Sequence, residues 1–64
     1  MIGSNIKKFR RKKGLTQDKL AKLADIPYTT LTKIESGTIK QPGIGTVAKI
    51  AKALSIKIDK LVNG

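Results

Sequence analysis

The stretch Leu15–Gly37, LTQDKLAKLADIPYTTLTKIESG, carries two apolar periodicities of helical spacing on either side of a short break. Thr16 is an N-cap residue for a helix QDKLAKLA, because its hydroxyl can accept from the free N–H groups of the first turn. Asp18 favours the same end through the helix dipole. Leu20, Ala21, Leu23 and Ala24 form the predicted apolar face, and Lys19 and Lys22 stay outside. Asp25 and Ile26 make the connection. Pro27 suits the first turn of the next helix, where its missing N–H has no partner to lose, and Gly37 ends that helix. At about 100° per residue, Leu31 and Ile34 point together toward a core, while Tyr28, Thr29, Thr32, Lys33 and Ser36 fall on the opposite side.

Working outward, SNIKKFRRKKG (4–14) predicts a preceding helix, with Ser4 or Asn5 as N-cap, Ile2, Ile6 and Phe9 on one face, and Gly14 as the stop. On the other side, TIKQPG (38–43) reads as a loop, with Pro42 and Gly43 as turn signals. Helical spacing returns through Ile44, Val47, Ile50, Ala51 and Leu54 in IGTVAKIAKAL (44–54). The tail SIKIDKLVNG has enough apolar residues, Ile56, Ile58, Leu61 and Val62, for a last short helix or a packed extension, with Asn63 and Gly64 expected to fray. No repeat, low-complexity tract or strand pair interrupts this pattern.

The chain has 64 residues, of which 39% are hydrophobic, so one small core is the expectation. It has neither Cys nor His, which removes disulfides and the commonest transition-metal ligands; helix packing alone must hold it, and no metal or cofactor is expected. Fourteen Lys and Arg against four Asp and Glu give a net charge of +10, and a body this small with that charge points to a polyanionic partner. Six of those fourteen basic residues crowd between Lys7 and Lys13, although such runs are more often solvated helix faces than contacts. No apolar run reaches the roughly 20 residues that span a bilayer, and no apolar core follows the charges of MIGSNIKKFRRKK as a secretion signal requires. A cytoplasmic protein is expected, with no membrane partner.

Catalysis fits poorly. There is no His or Cys, the acids are scattered as Asp18, Asp25, Glu35 and Asp59, and no glycine-rich phosphate loop follows a strand. Two helices joined by a short turn, the second with a polar outward side on a basic chain, instead match a helix-turn-helix over about residues 16–36.

The residues carry this further. GLTQDKLAKLADIPYTTLTKIESG (14–37) followed by QPGIGTVAKIAKAL (41–54) resembles the Cro/repressor type of helix-turn-helix domain, found in phage repressors and many bacterial regulators. The specific parts are Thr16–Gln17, Leu20–Ala21, Ile34–Glu35 with Gly37, and Pro42. The resemblance runs from about Ile6 to Val62 and implies one all-α, five-helix domain over residues 1–64. Its second and third helices form the helix-turn-helix, and the third, about residues 27–36, enters the major groove. Some positions depart from the family pattern. Asp25 stands where Gly is usual in the turn, Pro27 where Ser or Thr commonly caps, and Gly43, Gly45 and Lys57 replace residues that favour or cap later helix starts. The fourth and fifth helices are therefore expected to start less firmly.

The implied function is sequence-specific binding of double-stranded DNA by a transcriptional regulator, most simply a repressor. The candidate base contacts are Tyr28, Thr29, Thr32 and Lys33. Lys33 suits guanine O6 and N7, and a threonine methyl suits the thymine methyl. Gln17, Ser36, Lys40 and Gly43 are the candidate phosphate contacts, which give affinity without sequence information. The resemblance also pairs Arg10 with Glu35 as a fold-locking ion pair. It implies a homodimer on a palindromic operator, with Ile58, Lys60 and Leu61 as candidate dimer contacts, although Ile58 and Leu61 would equally serve to close the core. The family contains complete regulators of this size and longer ones. Other readings stay open from the residues: an antitoxin or other protein-interaction module on the same domain, a basic amphipathic membrane-surface protein, or an RNA-binding protein.

Overall fold

Residues 1–63 are described by the structure, a computed structural model. Five helices follow in order: α1 (Ile2–Lys12), α2 (Gln17–Ala24), α3 (Tyr28–Ser36), α4 (Ile44–Ala53) and α5 (Ile58–Asn63). No strand occurs among the described residues. Eleven apolar residues form one core, contributed by every helix: Ile6 from α1; Leu20, Ala21 and Ala24 from α2; Leu31 and Ile34 from α3; Val47, Ile50 and Ala51 from α4; Leu54 just after it; and Leu61 from α5. Burying each of the larger aliphatic side chains contributes about 1.5–3 kcal/mol, which is how so short a chain without disulfides offsets its ordering entropy.

The central pair of helices is set by its caps. Thr16 adopts an extended backbone, and its hydroxyl accepts from the Lys19 N–H at 3.1 Å. α2 ends at Asp25, whose backbone is left-handed (φ 56°, ψ 47°), so an aspartate supplies the geometry for which glycine is the easier choice. The Ile26 N–H returns to the Ala21 carbonyl at 3.0 Å and closes the turn. Pro27 is the N-cap of α3 and not its first helical residue; its carbonyl accepts from Thr30 and Leu31. Gly37, at φ 87°, ends α3.

Several local expectations need correction. α1 starts at Ile2 with Met1 as its cap, not at Ser4 or Asn5. Partly buried Ile2 packs on the core and draws the start of the helix back, and the Asn5 N–H bonds to the Met1 carbonyl. The Asn5 amide instead reaches across to the Leu61 carbonyl at 2.8 Å and ties the two ends of the fold. Leu23 fits the apolar spacing of α2 yet is 61% exposed, and Ile44 at the start of α4 is 71% exposed. Both lie where the packing of neighbouring helices stops, a property that periodicity along one helix does not contain. Val62 is exposed as well. Asn63 belongs to α5 and donates to Asp59 Oδ1 at 2.6 Å, whereas Gly64 lies outside the described residues. In line with the expectation of a weak start, α4 begins at Ile44 behind Gly43, an N-cap without a side-chain hydrogen bond.

Candidate nucleic-acid interface

α3 has an inner side held by three kinds of contact. Leu31 and Ile34 are fully or almost fully buried in the core. Beside them Glu35 is buried, and its carboxylate meets the guanidinium of Arg10 from α1 in a two-pronged pair: Arg10 Nε donates to Oε2 at 2.8 Å and an Nη to Oε1 at 3.0 Å. The remaining prong of Arg10 donates to the Leu15 carbonyl at 2.8 Å, so the same side chain fixes the loop between α1 and α2. Such a planar fork matches a carboxylate in a way that lysine would not.

Third, α1 approaches α3 almost backbone to backbone at Gly3. A methyl group there would overlap the Ile34 carbonyl oxygen and stand 3.3 Å from the Glu35 Cα. Gly3 was not singled out from the sequence. The available signal was a glycine inside a helical run, which costs about 1 kcal/mol relative to alanine unless close packing requires it.

The outer side of α3 is left free. Tyr28 and Lys33 are exposed, Thr29 is exposed, and Thr32 is half-buried. The Thr32 hydroxyl donates to the Thr29 carbonyl at 2.9 Å, which satisfies its donor and leaves its methyl and an acceptor lone pair for other contacts. The Pro27 cap has no side chain to satisfy the first N–H groups of α3, so those donors also remain available at the end that carries Tyr28 and Thr29.

The four candidate phosphate residues are differently placed. Gln17, at the first position of α2, donates from Nε2 to Glu35 Oε1 at 3.1 Å, so it joins the ion pair that the family resemblance assigned to Arg10 and Glu35 alone. One amide N–H and the amide oxygen stay unspent by that bond. Lys40 is exposed in the loop after α3, and exposed Gly43 caps α4, the first N–H groups of which have no helical partner. Ser36 faces outward, but its hydroxyl donates to the Lys33 carbonyl at 3.1 Å and lies 3.0 Å from the Thr38 hydroxyl. It sits in the last turn of α3, where the helix dipole disfavours an anion.

The basic run of α1 divides in the same way. Arg10 is turned inward, and the amines of Lys8 and Lys12 lie 5.2 and 5.5 Å from the centre of the Phe9 ring, on the side of α1 that borders Asp59 and Lys60 of α5. Of the three candidate dimer contacts, Leu61 is fully buried in the single chain, where it closes the core, the second of the two roles open to it from the sequence. Ile58 is half-buried and Lys60 exposed.

A family model described as helix-turn-helix matches residues 6–61. The chain belongs to the helix-turn-helix family. The match covers the Cro/repressor-type features at Thr16–Gln17 and Ile34–Gly37 and nearly the whole of the five-helix core. The HTH-type transcriptional regulator SinR of Bacillus licheniformis is 32% identical over 63 residues, which span 98% of this chain and 57% of that protein. Among solved structures, the N-terminal DNA-binding domain of SinR from Bacillus subtilis superposes with a TM-score of 0.97 at 30% identity, covering all of this chain and 93% of that one. SinR, the master regulator for biofilm formation, in its crystal structure in complex with DNA gives a TM-score of 0.94 at 31% identity, over 97% of this chain and 98% of that one. The chain thus spans little more than half the length of the SinR protein whose sequence it matches, and does so over the helix-turn-helix.

Proposed function

We propose that this chain is a sequence-specific, double-stranded-DNA-binding transcriptional regulator, acting as a repressor, with α3 in the major groove. The observation that carries this reading is the two-sidedness of α3. Leu31, Ile34 and Glu35 are spent on holding the helix, and Tyr28, Thr29, Thr32 and Lys33 form an outward strip with no role in the core. The likeness to SinR, solved in complex with DNA, supports DNA as the partner. In this reading Lys33 donates to a guanine edge and the threonine methyls meet thymine methyls, while phosphates are held by Gln17, Lys40 and the N–H groups that follow Gly43.

Gln17 then acts in two directions: one amide hydrogen stays on Glu35 and the other is offered to a phosphate, so that backbone contact and the position of α3 are set together. A net charge of +10 opposes self-association of the free chain and is relieved on DNA. A homodimer on a palindromic operator completes the reading, with half-sites about 34 Å apart or a multiple of it, and Ile58 and Lys60 at the contact.

Selection from a random duplex library at near-physiological salt tests this. One enriched sequence is expected, and Lys33→Ala should lose about 1–3 kcal/mol of discrimination at particular base pairs of that site. Gln17→Ala should weaken binding on all sequences without changing the preferred one. A library that enriches nothing would sink the proposal.

A further inference from the structure

One feature of α2 lies outside both the core and the strip of α3. Leu23 is exposed at the mouth of a cleft of about 450 Å³ between the C-terminal halves of α2 and α4, lined by Leu23, Ala24, Asp25, Lys49, Lys52 and Ala53. An isolated exposed leucine needs no explanation. Here the leucine shares an open cleft with two alanines, Ala24 and Ala53, and with the charged side chains of Asp25, Lys49 and Lys52. We infer that this cleft docks an acidic segment of a protein partner, with one large apolar side chain of that segment seated against Leu23, Ala24 and Ala53.

Charge selects the occupant. Lys49 and Lys52 line the cleft against the single carboxylate of Asp25, and Lys19 stands one turn before Leu23 on the same face of α2, so the balance of charge around the cleft is positive. Among the described residues no ion pair engages any of these three lysines, whereas Lys22 is already joined to Asp18 at 3.3 Å. A second copy of this chain would set lysine against lysine at a net charge of +10 each. A lipid surface would find one leucine and no broad apolar face, and a nucleic acid backbone has no use for an alanine-floored cavity. Carboxylates around an apolar anchor satisfy both features, the anchor giving affinity and the rim giving steering.

Position keeps the site available. Gln17 and Gly43, proposed to face phosphates, lie at the N-terminal ends of α2 and α4, and the cleft is formed at their other ends. At 1.5 Å per residue Leu23 lies about 9 Å from Gln17 along α2, and Lys49 and Lys52 lie about 9 and 13 Å from Gly43 along α4, beyond a Debye length of roughly 8 Å, whereas Lys19 lies within it. Only this orientation rests on the DNA reading; the cleft and its lining do not.

Short random peptides displayed for selection on the full chain, with counter-selection on Leu23→Asp, test the inference. The enriched peptides should place acidic residues around one large apolar side chain. They should bind Leu23→Asp and the double variant Lys49→Glu/Lys52→Glu about tenfold more weakly or worse. They should also move the amide NMR signals of Ala24, Lys49, Lys52 and Ala53, with and without duplex. Leu23→Asp should keep the wild-type duplex affinity and cooperative unfolding, with the midpoint lowered only by the cost of an aspartate in the last turn of α2. Peptides that enrich equally on Leu23→Asp, signals that move at Tyr28 and Lys33 instead, or no enrichment at all would overturn the inference. So would concentration-dependent shifts of the cleft signals without peptide, which would assign it to a second copy, or Leu23-dependent binding to phosphatidylglycerol vesicles. If the wild-type chain selects no duplex but binds the peptides at the cleft, the DNA reading fails and this one stands.

Discussion

The seam between α1 and α3 and the seam between α2 and α4 are built from opposite materials. At the first, a glycine admits backbone to backbone, and a buried Arg10–Glu35–Gln17 network fixes the rotation of α3 about its axis. At the second, the C-terminal halves of α2 and α4 leave an open cleft with Ala24 and Ala53 in its lining, and Leu23 stays in solvent. A helix that must present a fixed set of side chains to a ligand is specified by directional contacts on its hidden side. A seam that only has to exclude water can end in an open cavity without loss of the fold.

That contrast is open to direct attack, the largest effect first. Glu35→Ala leaves the Arg10 guanidinium buried without its partner and should lose roughly 3–5 kcal/mol, much of the stability available to a chain of this length, read as a fall in the urea midpoint. Folding should suffer before base preference does. Gly3→Ala should destabilise by about 1–3 kcal/mol despite alanine's better helix propensity, because the atom it overlaps is a backbone oxygen that cannot rotate away. If Gly3→Ala is instead neutral in thermal unfolding, the close approach of α1 and α3 is not the constraint described here.

Gln17→Ala removes one hydrogen bond to a charged but otherwise well-partnered carboxylate and should cost about 0.5–1.5 kcal/mol of stability, separable from its effect on DNA by measuring both. Leu23→Asp should cost no more than about 1 kcal/mol, from the helix propensity and dipole of an aspartate in the last turn of α2 and not from lost packing. A large loss there would show that the α2–α4 seam depends on Leu23 after all, and would erase the contrast.

The helices were legible for particular reasons. Thr16, Gly37 and the Pro42–Gly43 pair are local signals that act within a turn or two, and Leu31 and Ile34 share a face whatever surrounds them. Glu35 could be assigned an inward role only through its resemblance to a family, since its chemistry alone would send it to the surface. Leu23, Ile44 and the start of α1 were misplaced for the converse reason: each fits a helical pattern, and what decides its exposure is where another helix ends.

By itself, then, the sequence determined four helices and an apolar tail, the central turn, the outward strip of α3 and a strongly basic character, because caps, periodicity and charge are properties of neighbouring residues along the chain; the fifth helix was implied by the family resemblance. Only the tertiary structure decided that Gly3 touches Ile34, that Gln17 joins the Arg10–Glu35 pair, that Leu61 is sealed in the core and that Leu23 is not. These depend on the distance between helices that meet far apart in sequence, and no periodicity within one helix carries that distance.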